Sequence, residues 1–148
     1  MSETLINNPF IDLLGVQIEH WDDGYVRARL NLQADHQNRS GVVHGGILTT
    51  LLDHVGSFSG LYCTTPGHAR FCVTLSLTCN FVGQSKSGSI VAAGRRTAGG
   101  RNIYFAQSEI LDLAGSVLAT GTSVHRYRKG SENPQGVPVN LSDPTLSS

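Results

Sequence analysis

The sequence predicts an α+β domain in which an antiparallel β-sheet packs against one long helix. Residues 44–62 carry apolar side chains at helical spacing, and four strand-like segments follow them. The connections between these segments are too short for the helical crossovers that parallel strands require. We expect this domain to occupy residues 1–128. We expect a flexible tail, disordered or draped over the domain, at residues 129–148, where three of the five prolines lie.

The remaining elements follow from the pattern in chain order. Pro9 suits the first turn of a short helix and Gly15 can end it, so we expect a helix at residues 8–14. A turn-forming Trp-Asp-Asp-Gly run then separates two segments of alternating apolar residues, which predicts a hairpin. The predicted strands are residues 16–19 and 24–32 before the long helix, and residues 71–81, 89–97, 103–111 and 117–127 after it.

The composition argues against several functions. The chain has 11 basic and 11 acidic residues, so it lacks the positive excess typical of nucleic-acid-binding proteins. Its start does not resemble a secretory signal, and no apolar run is long enough to span a membrane. Neither the three cysteines nor His44, Asp53 and His54 have the spacing of a metal site. We expect a cytoplasmic protein without a metal, a nucleic-acid partner or a membrane partner.

The long helix contains one acidic residue on a face of small side chains. Residues 44–62 include no Lys, Arg or Glu, so we expect the helix to be buried on most sides. Buried carboxylates are concentrated at functional sites, although an acid held by neighbouring hydroxyls can also be purely structural. The face, which permits close approach of another surface or of a thin substrate, consists of Gly46, Thr50, Asp53, Ser57 and Gly60.

Two neighbouring features could complete a site around this acid. Gly45 and Gly46 begin the helix, where unblocked N–H groups can polarise a carbonyl, although a tight turn would also require glycine. In the strand at residues 71–81 strict alternation places Thr74 on the polar face, from which a hydroxyl could reach Asp53. A serine nucleophile is not expected in the glycine- and serine-rich run at residues 56–60, because that run is part of the helical pattern.

One known family shares this arrangement. Asn38, six residues before His44, the His-Gly-Gly run at residues 44–46 and the acid at Asp53 resemble the PaaI-like branch of the hotdog-fold acyl-CoA thioesterases. The resemblance covers roughly residues 8–127. It implies a hotdog fold, in which the sheet wraps around the helix, and hydrolysis of an acyl-CoA to a free acid and CoA. It also implies a homo-oligomer, at least a dimer and by expectation a homotetramer, with CoA as part of the substrate and no cofactor.

The same resemblance assigns roles to individual residues. The Gly45 N–H would polarise the thioester carbonyl, and Asp53 would act as general base or nucleophile from the partner subunit. Asn38 would position water or the thioester, and Thr74 would supply a hydroxyl. Since a helix rises ~1.5 Å per residue, Gly45 and Asp53 lie ~12 Å apart in one chain, so the site would need two chains. The substrate-binding candidates are His44, Gly46, Ser57, Arg95, Arg96, Gly99, Gly100 and Arg101.

Two other functions remain open at this point. A hotdog hydratase or dehydratase would act on enoyl or hydroxyacyl thioesters, but these enzymes usually pair a catalytic histidine with the acid, and here His44 precedes the glycines. A non-catalytic module would bind acyl-CoA without turnover. The acyl group, aromatic or medium-chain, is not determined by the sequence.

Overall fold

A six-stranded antiparallel sheet packed against one helix dominates the computed structural model, which describes residues 8–140. The predicted fold class, an α+β hotdog fold, is confirmed. The strand order is β1-β2-β5-β6-β7-β4, and a small second sheet pairs β3 with β8. The elements are α1 Pro9–Leu14, β1 Gln17–Asp22, β2 Tyr25–Asn31, α2 Gly45–Phe58, β3 His68–Ala69, β4 Cys72–Phe81, β5 Ser89–Gly99, β6 Ile103–Asp112, β7 Val117–Tyr127 and β8 Val137–Pro138.

Helix α2 ends at Phe58, four residues before the predicted end. The last carbonyls of a helix need partners, and here aromatic side chains of the sheet provide them. The Tyr104 hydroxyl donates to the Ser57 carbonyl at 2.6 Å, and Trp21 Nε1 donates to the Phe58 carbonyl at 2.9 Å. Gly60 lies against the Tyr104 ring, where a Cβ atom would come within 2.3 Å of it. These contacts fix the end of the helix next to β6.

The core lies between α2 and the concave face of the sheet. Leu48, Leu51, Leu52 and Val55 of α2 are buried there against apolar residues of β2, β5, β6 and β7. At Gly94 the backbone of β5 approaches the helix so closely that a Cβ atom would lie 2.1 Å from the Val55 carbonyl oxygen. Glycine is therefore required sterically at this position of β5.

Strand β4 lies at the edge of the sheet, next to β7 and far from β5, which follows it in sequence. The connection at residues 82–88 crosses from one part of the sheet to another. Its backbone hydrogen bonds include those from the Val43 N–H to the Ser85 carbonyl and from the Leu32 N–H to the Gly88 carbonyl, each 2.8 Å long. The sequence pattern identified the strand but not its place at the edge.

A β-bulge interrupts β4. Thr74 pairs with His125 and Ser76 with Val124, so Leu75 has no partner in the ladder. The prediction of strict alternation along this strand was therefore wrong. The extra residue reverses the face of the sheet to which each later side chain points. Thr74 contacts α2, and Leu77 beyond the bulge packs against the same core, whereas strict alternation would place them on opposite faces.

The segment after residue 128, expected to be a flexible or draped tail, lies on the domain over its described part. The Ser131 carbonyl accepts a hydrogen bond from Arg70 Nε at 2.9 Å, and the Val139 N–H donates to the Gly67 carbonyl at 2.8 Å. The packed structure thus continues past residue 128, whereas residues 141–148 lie outside the described residues. Within residues 8–140, no helix is long and apolar enough to cross a membrane.

Candidate active site

The carboxylate of Asp53 is held by a hydroxyl from β4. Thr74 Oγ1 donates a 2.7 Å hydrogen bond to Asp53 Oδ1. No protein donor within residues 8–140 occupies the second oxygen, Oδ2, which can still accept a proton. Asp53 was expected to be buried, but in the single chain it is half-buried, because its side of α2 lies beside the edge strand β4.

Behind Thr74 lie two buried polar residues of β7. His125 Nδ1 is 3.2 Å from Thr74 Oγ1, and His125 Nε2 is 2.8 Å from Ser123 Oγ. The His125 side chain is fully buried and stacks on the Tyr104 ring, with the ring centroids 5.0 Å apart. Burial lowers the pKa of His125, and the nearby Asp53 carboxylate opposes that shift only in part. The imidazole is therefore neutral at pH 7.

At the other end of α2, His44 determines which backbone N–H group is available. Its Nδ1 accepts a 2.7 Å hydrogen bond from the Gly46 N–H, so it caps the helix. The N–H groups of Ile47 and Leu48 bond to the His44 carbonyl. Within the described residues this leaves the Gly45 N–H without an acceptor at the positive end of the helix dipole. His44 thus shapes the helix start, and Gly45 provides the donor.

Asn38 lies in the loop that leads into α2. Its Oδ1 accepts hydrogen bonds from the Ser40 N–H at 2.9 Å and the Val42 N–H at 3.3 Å, which forms a local turn. The side-chain amide N–H groups of Asn38 remain able to donate to a ligand. The structure therefore shows Asn38 as a residue that orders this loop.

The predicted substrate-binding residues fall into separate places. A cavity of about 610 Å³ brings together Arg96, Gly99, Gly100 and Arg101 from the end of β5 and the following turn. Arg96 is ion-paired with Asp23 at 2.9 Å, so Arg101 is the more available cation. The wall of the cavity includes Tyr104, the residue that stacks on His125.

Arg95 does not belong to this cluster. Successive strand residues point to opposite faces, and Arg95 lines a different hollow of about 350 Å³ on the outer face of the sheet. Its guanidinium group lies over the Tyr25 ring, 4.5 Å from the centroid. Both arginines were substrate-binding candidates, and of the two only Arg96 lines the cavity with Gly99, Gly100 and Arg101.

The other nucleophilic side chains near α2 have structural partners. Ser57 Oγ donates to the His54 carbonyl, and Ser59 Oγ, which is fully buried, donates to the Gly56 carbonyl at 2.7 Å. Burial raises the pKa of the Cys72 thiol to about 11, so this group stays protonated at pH 7. No group of three or more His, Cys, Asp or Glu side chains in the described part of the chain is placed to hold a metal ion.

Comparison with known proteins identifies the family. A family model for the thioesterase superfamily matches residues 40–119, more than half of the chain. The chain belongs to the thioesterase superfamily. A Schizosaccharomyces pombe protein named "putative esterase" is 31% identical over 130 residues, which cover 86% of this chain and 76% of that protein. Human acyl-coenzyme A thioesterase 13 is 27% identical over 100 residues, covering 66% of this chain and 69% of that protein.

Solved structures agree with this assignment at the level of the fold. A conserved Pseudomonas aeruginosa protein superposes with a TM-score of 0.76 at 22% identity and covers 86% of this chain and 100% of its own. The E. coli PaaI protein from the phenylacetic acid degradation operon gives a TM-score of 0.71 at 21% identity and covers 82% of this chain and 86% of its own. The resemblance to hotdog thioesterases that the sequence motif indicated is therefore confirmed.

In this thioesterase-superfamily chain, sequence analysis missed His125 and Ser123. Both lie on the concave face of β7, where a strand that packs on a helix usually carries apolar side chains. The signal available in the sequence was a pair of polar residues, two positions apart, on the face of β7 that is expected to be apolar. Their importance was not visible without the register that brings His125 opposite Thr74.

Proposed function

We propose that this chain hydrolyses acyl-CoA thioesters to a free acid and CoA. The observation that carries the proposal is the Asp53 carboxylate, fixed through Oδ1 by Thr74, with Oδ2 left open. A thioester carbonyl is already activated, so one base and one oxyanion donor can suffice for its hydrolysis. Membership of the thioesterase superfamily and the similarity to acyl-coenzyme A thioesterase 13 support this reaction class.

In the proposed reaction Asp53 acts as a general base. Its Oδ2 takes a proton from water while the water oxygen bonds to the thioester carbon. The carbonyl oxygen becomes an oxyanion, which the free Gly45 N–H stabilises. The C–S bond then breaks, CoA leaves as the thiolate, and the proton held by Asp53 can neutralise it. Direct attack by Asp53 is the alternative. Single-turnover hydrolysis in ¹⁸O-water can reveal direct attack. If water opens the mixed anhydride at the Asp53 carbonyl, ¹⁸O enters Asp53 and not the acid, whereas general-base catalysis places ¹⁸O in the acid.

The proposed site combines two copies of the chain. Gly45 and Asp53 are eight residues apart on α2, about 12 Å, which is too far for both to act on one thioester carbon. The two ends of β4 lie beside these residues, because Thr74 bonds Asp53 and the Phe81 ring lies 3.9 Å from where a Gly45 Cβ would be.

A symmetric contact between the edge strands of two chains would bring Gly45 of one chain close to Asp53 of the other. Strand β4 is an open edge that exposes Leu75 and Phe81, and such edges are normally covered in native proteins. If two copies of β4 pair antiparallel about a two-fold axis between Thr74 and Phe81, the Thr74 end of one strand faces the Phe81 end of the other. This pairing brings Asp53 of one chain towards the helix start of its partner. The dimer is part of this proposal, and the homotetramer and the cytoplasmic location remain predictions.

The cavity at the end of β5 is the proposed binding site for the CoA phosphates. It offers the Arg101 guanidinium and the glycine backbone at Gly99 and Gly100, and a volume of about 610 Å³ is within the range of small-molecule sites. A guanidinium group binds phosphate oxygens through paired N–H donors. Within one chain the Tyr104 ring lines this cavity and stacks on His125, which contacts Thr74 of the Thr74–Asp53 pair.

The proposal is tested by a panel of aromatic and medium-chain acyl-CoAs, with release of the CoA thiol as the readout. Asp53→Asn is expected to lower kcat by about 10²–10⁴, because it removes the base and keeps the shape of the side chain. Circular dichroism and thermal unfolding serve as controls for the fold. Undiminished thiol release in this variant would contradict the mechanism. A change in enoyl absorbance without thiol release would indicate a hydratase, and tight binding without turnover would indicate a binding module.

A further inference from the structure

A continuous chain of hydrogen bonds extends from Asp53 into the core. It runs from Asp53 Oδ1 to Thr74 Oγ1 at 2.7 Å, then to His125 Nδ1 at 3.2 Å, and from His125 Nε2 to Ser123 Oγ at 2.8 Å. These four groups come from three elements, α2, β4 and β7. The chain thus connects the half-buried carboxylate to a fully buried imidazole.

Counting protons fixes the direction of every bond in this chain. A carboxylate only accepts, so the single hydroxyl proton of Thr74 must point to Asp53. Thr74 Oγ1 then has to accept from His125, which places the imidazole proton on Nδ1. A neutral imidazole with a proton on Nδ1 accepts at Nε2, so Ser123 donates to it. All three hydrogen bonds point towards Asp53.

The packing around His125 leaves the imidazole little freedom. The Tyr104 ring stacks on one face at an interplanar angle of 23°. On the side of α2, Gly56 lies so close that a Cβ atom there would be 2.7 Å from Ser123 Oγ and 3.3 Å from His125 Nε2. Because the ring is stacked and enclosed, its Nδ1 remains directed at Thr74.

We propose that His125 is a positioning residue for the Asp53 site. Its Nδ1–H holds the Thr74 hydroxyl in the orientation that donates to Asp53 Oδ1, and this keeps Oδ2 directed at the attacking water. The catalytic part of this proposal rests on the proposed thioesterase function. The tautomer of His125 does not depend on that function and can be measured without a substrate.

The first test is the ¹⁵N NMR spectrum of the histidine side chains at neutral pH. His125, assigned by the signal that His125→Asn removes, is expected as the Nδ1–H tautomer. Thr74→Val, which has the shape of threonine without the hydroxyl, is expected to shift His125 towards the Nε2–H tautomer. An Nε2–H tautomer in the unmodified protein would overturn the proposal whatever the enzyme hydrolyses.

The second test is a double-mutant cycle measured by thiol release from the best acyl-CoA. His125→Leu removes the donor and is expected to lower kcat about tenfold with little change in KM, since one hydrogen bond of ordinary strength is lost. His125→Asn, whose amide can donate from nearly the same place, is expected to restore most of this loss. In the Thr74→Val background His125→Leu should cost nothing further, because the group it orients is gone.

A matched pair of serine variants separates positioning from general damage to the core. Ser123→Ala removes the donor to Nε2 and should weaken the Nδ1–H preference. Ser108→Ala, also buried but without a hydrogen-bond partner for its Oγ within the described residues, should change neither the spectrum nor kcat.

Additive losses in the double-mutant cycle would mean that His125 acts only structurally and would overturn the positioning role. If no acyl-CoA is hydrolysed but the tautomer and its response to Thr74→Val are as expected, the proposed function fails while the directed hydrogen-bond chain is supported.

Discussion

Mixing two inactive variants tests whether one site takes Gly45 and Asp53 from different chains. Gly45→Pro removes the free N–H and puts the proline Cδ in its place, so it disables the oxyanion-binding half of the site. Proline is favoured at the first position of a helix, and the extended His44 backbone, with ψ at 136°, is compatible with a following proline. Asp53→Asn removes the base. Alone, Gly45→Pro is expected to lower kcat by about 10²–10³, and Asp53→Asn by about 10²–10⁴.

The expected rescue follows from counting sites. Random association of equal amounts makes about half of the dimers mixed, and each mixed dimer has one site with both defects and one with neither. The mixture should therefore recover about one quarter of the wild-type activity per chain. That is at least ~25-fold above either variant alone, given a loss of at least ~10² in each. The chains are unfolded and refolded together, and thiol release is measured at saturating acyl-CoA.

Two controls make the result interpretable. Gly45→Ala keeps the N–H, and among residues 8–140 its new Cβ would meet only the Phe81 ring at 3.9 Å, so its activity should stay near that of the wild type. Asp53→Asn mixed with Thr74→Val should show no rescue, because both defects lie in the same half of the site. If the Gly45→Pro and Asp53→Asn mixture only averages the two variants, each site is built from one chain, and the 12 Å argument is refuted.

Two further predictions concern stability and substrate binding. Burial lowers the pKa of His54 from 6.5 to about 4, so the unfolded state binds more protons in this window. The titration of His54 alone should lower the free energy of unfolding by about 3 kcal/mol from pH 7 to pH 4, measured by urea denaturation at each pH, and His54→Gln should remove this part of the pH dependence. The same pH dependence in the variant and in the wild type would contradict this prediction. Arg101→Ala should raise KM for acyl-CoA about tenfold or more with kcat unchanged, whereas Arg95→Ala on the outer face should leave both unchanged. Equal effects of the two variants would place the phosphates elsewhere.

The sequence was sufficient for the two α-helices, the six strands of the main sheet and the residue at the centre of the proposed site, but it missed the short strands β3 and β8. Apolar spacing identified α2 to within four residues of its end, and Gly15 ends α1 in the left-handed conformation that glycine favours. Asn38, the His-Gly-Gly run and Asp53 were sufficient to indicate the family. Apolar periodicity, helix-end signals and short motifs each involve residues that are a few positions apart, so the sequence alone reveals them.

The tertiary structure decided the register and most contacts between distant residues, although the sequence already indicated that the Thr74 hydroxyl could reach Asp53. The bulge at Leu75 lets both Thr74 and Leu77 face α2, and Thr74 bonds Asp53 there. Strict alternation had predicted that Thr74 and Leu77 lie on opposite faces of the sheet. His125 is 51 residues from Thr74 and becomes its neighbour only because β4 crosses to the edge beside β7.

The tertiary structure also decided where the arginine side chains point and that strand β4 forms an open edge of the sheet. Arg95 and Arg96 are adjacent in sequence but point to opposite faces of β5, since successive side chains alternate across a sheet. The sequence determined local structure, the family and the acid, because these depend on short-range patterns. Strand order and register, which depend on packing between distant segments, determined the hydrogen-bond chain behind the acid and the free edge through which we propose that a second chain completes the site.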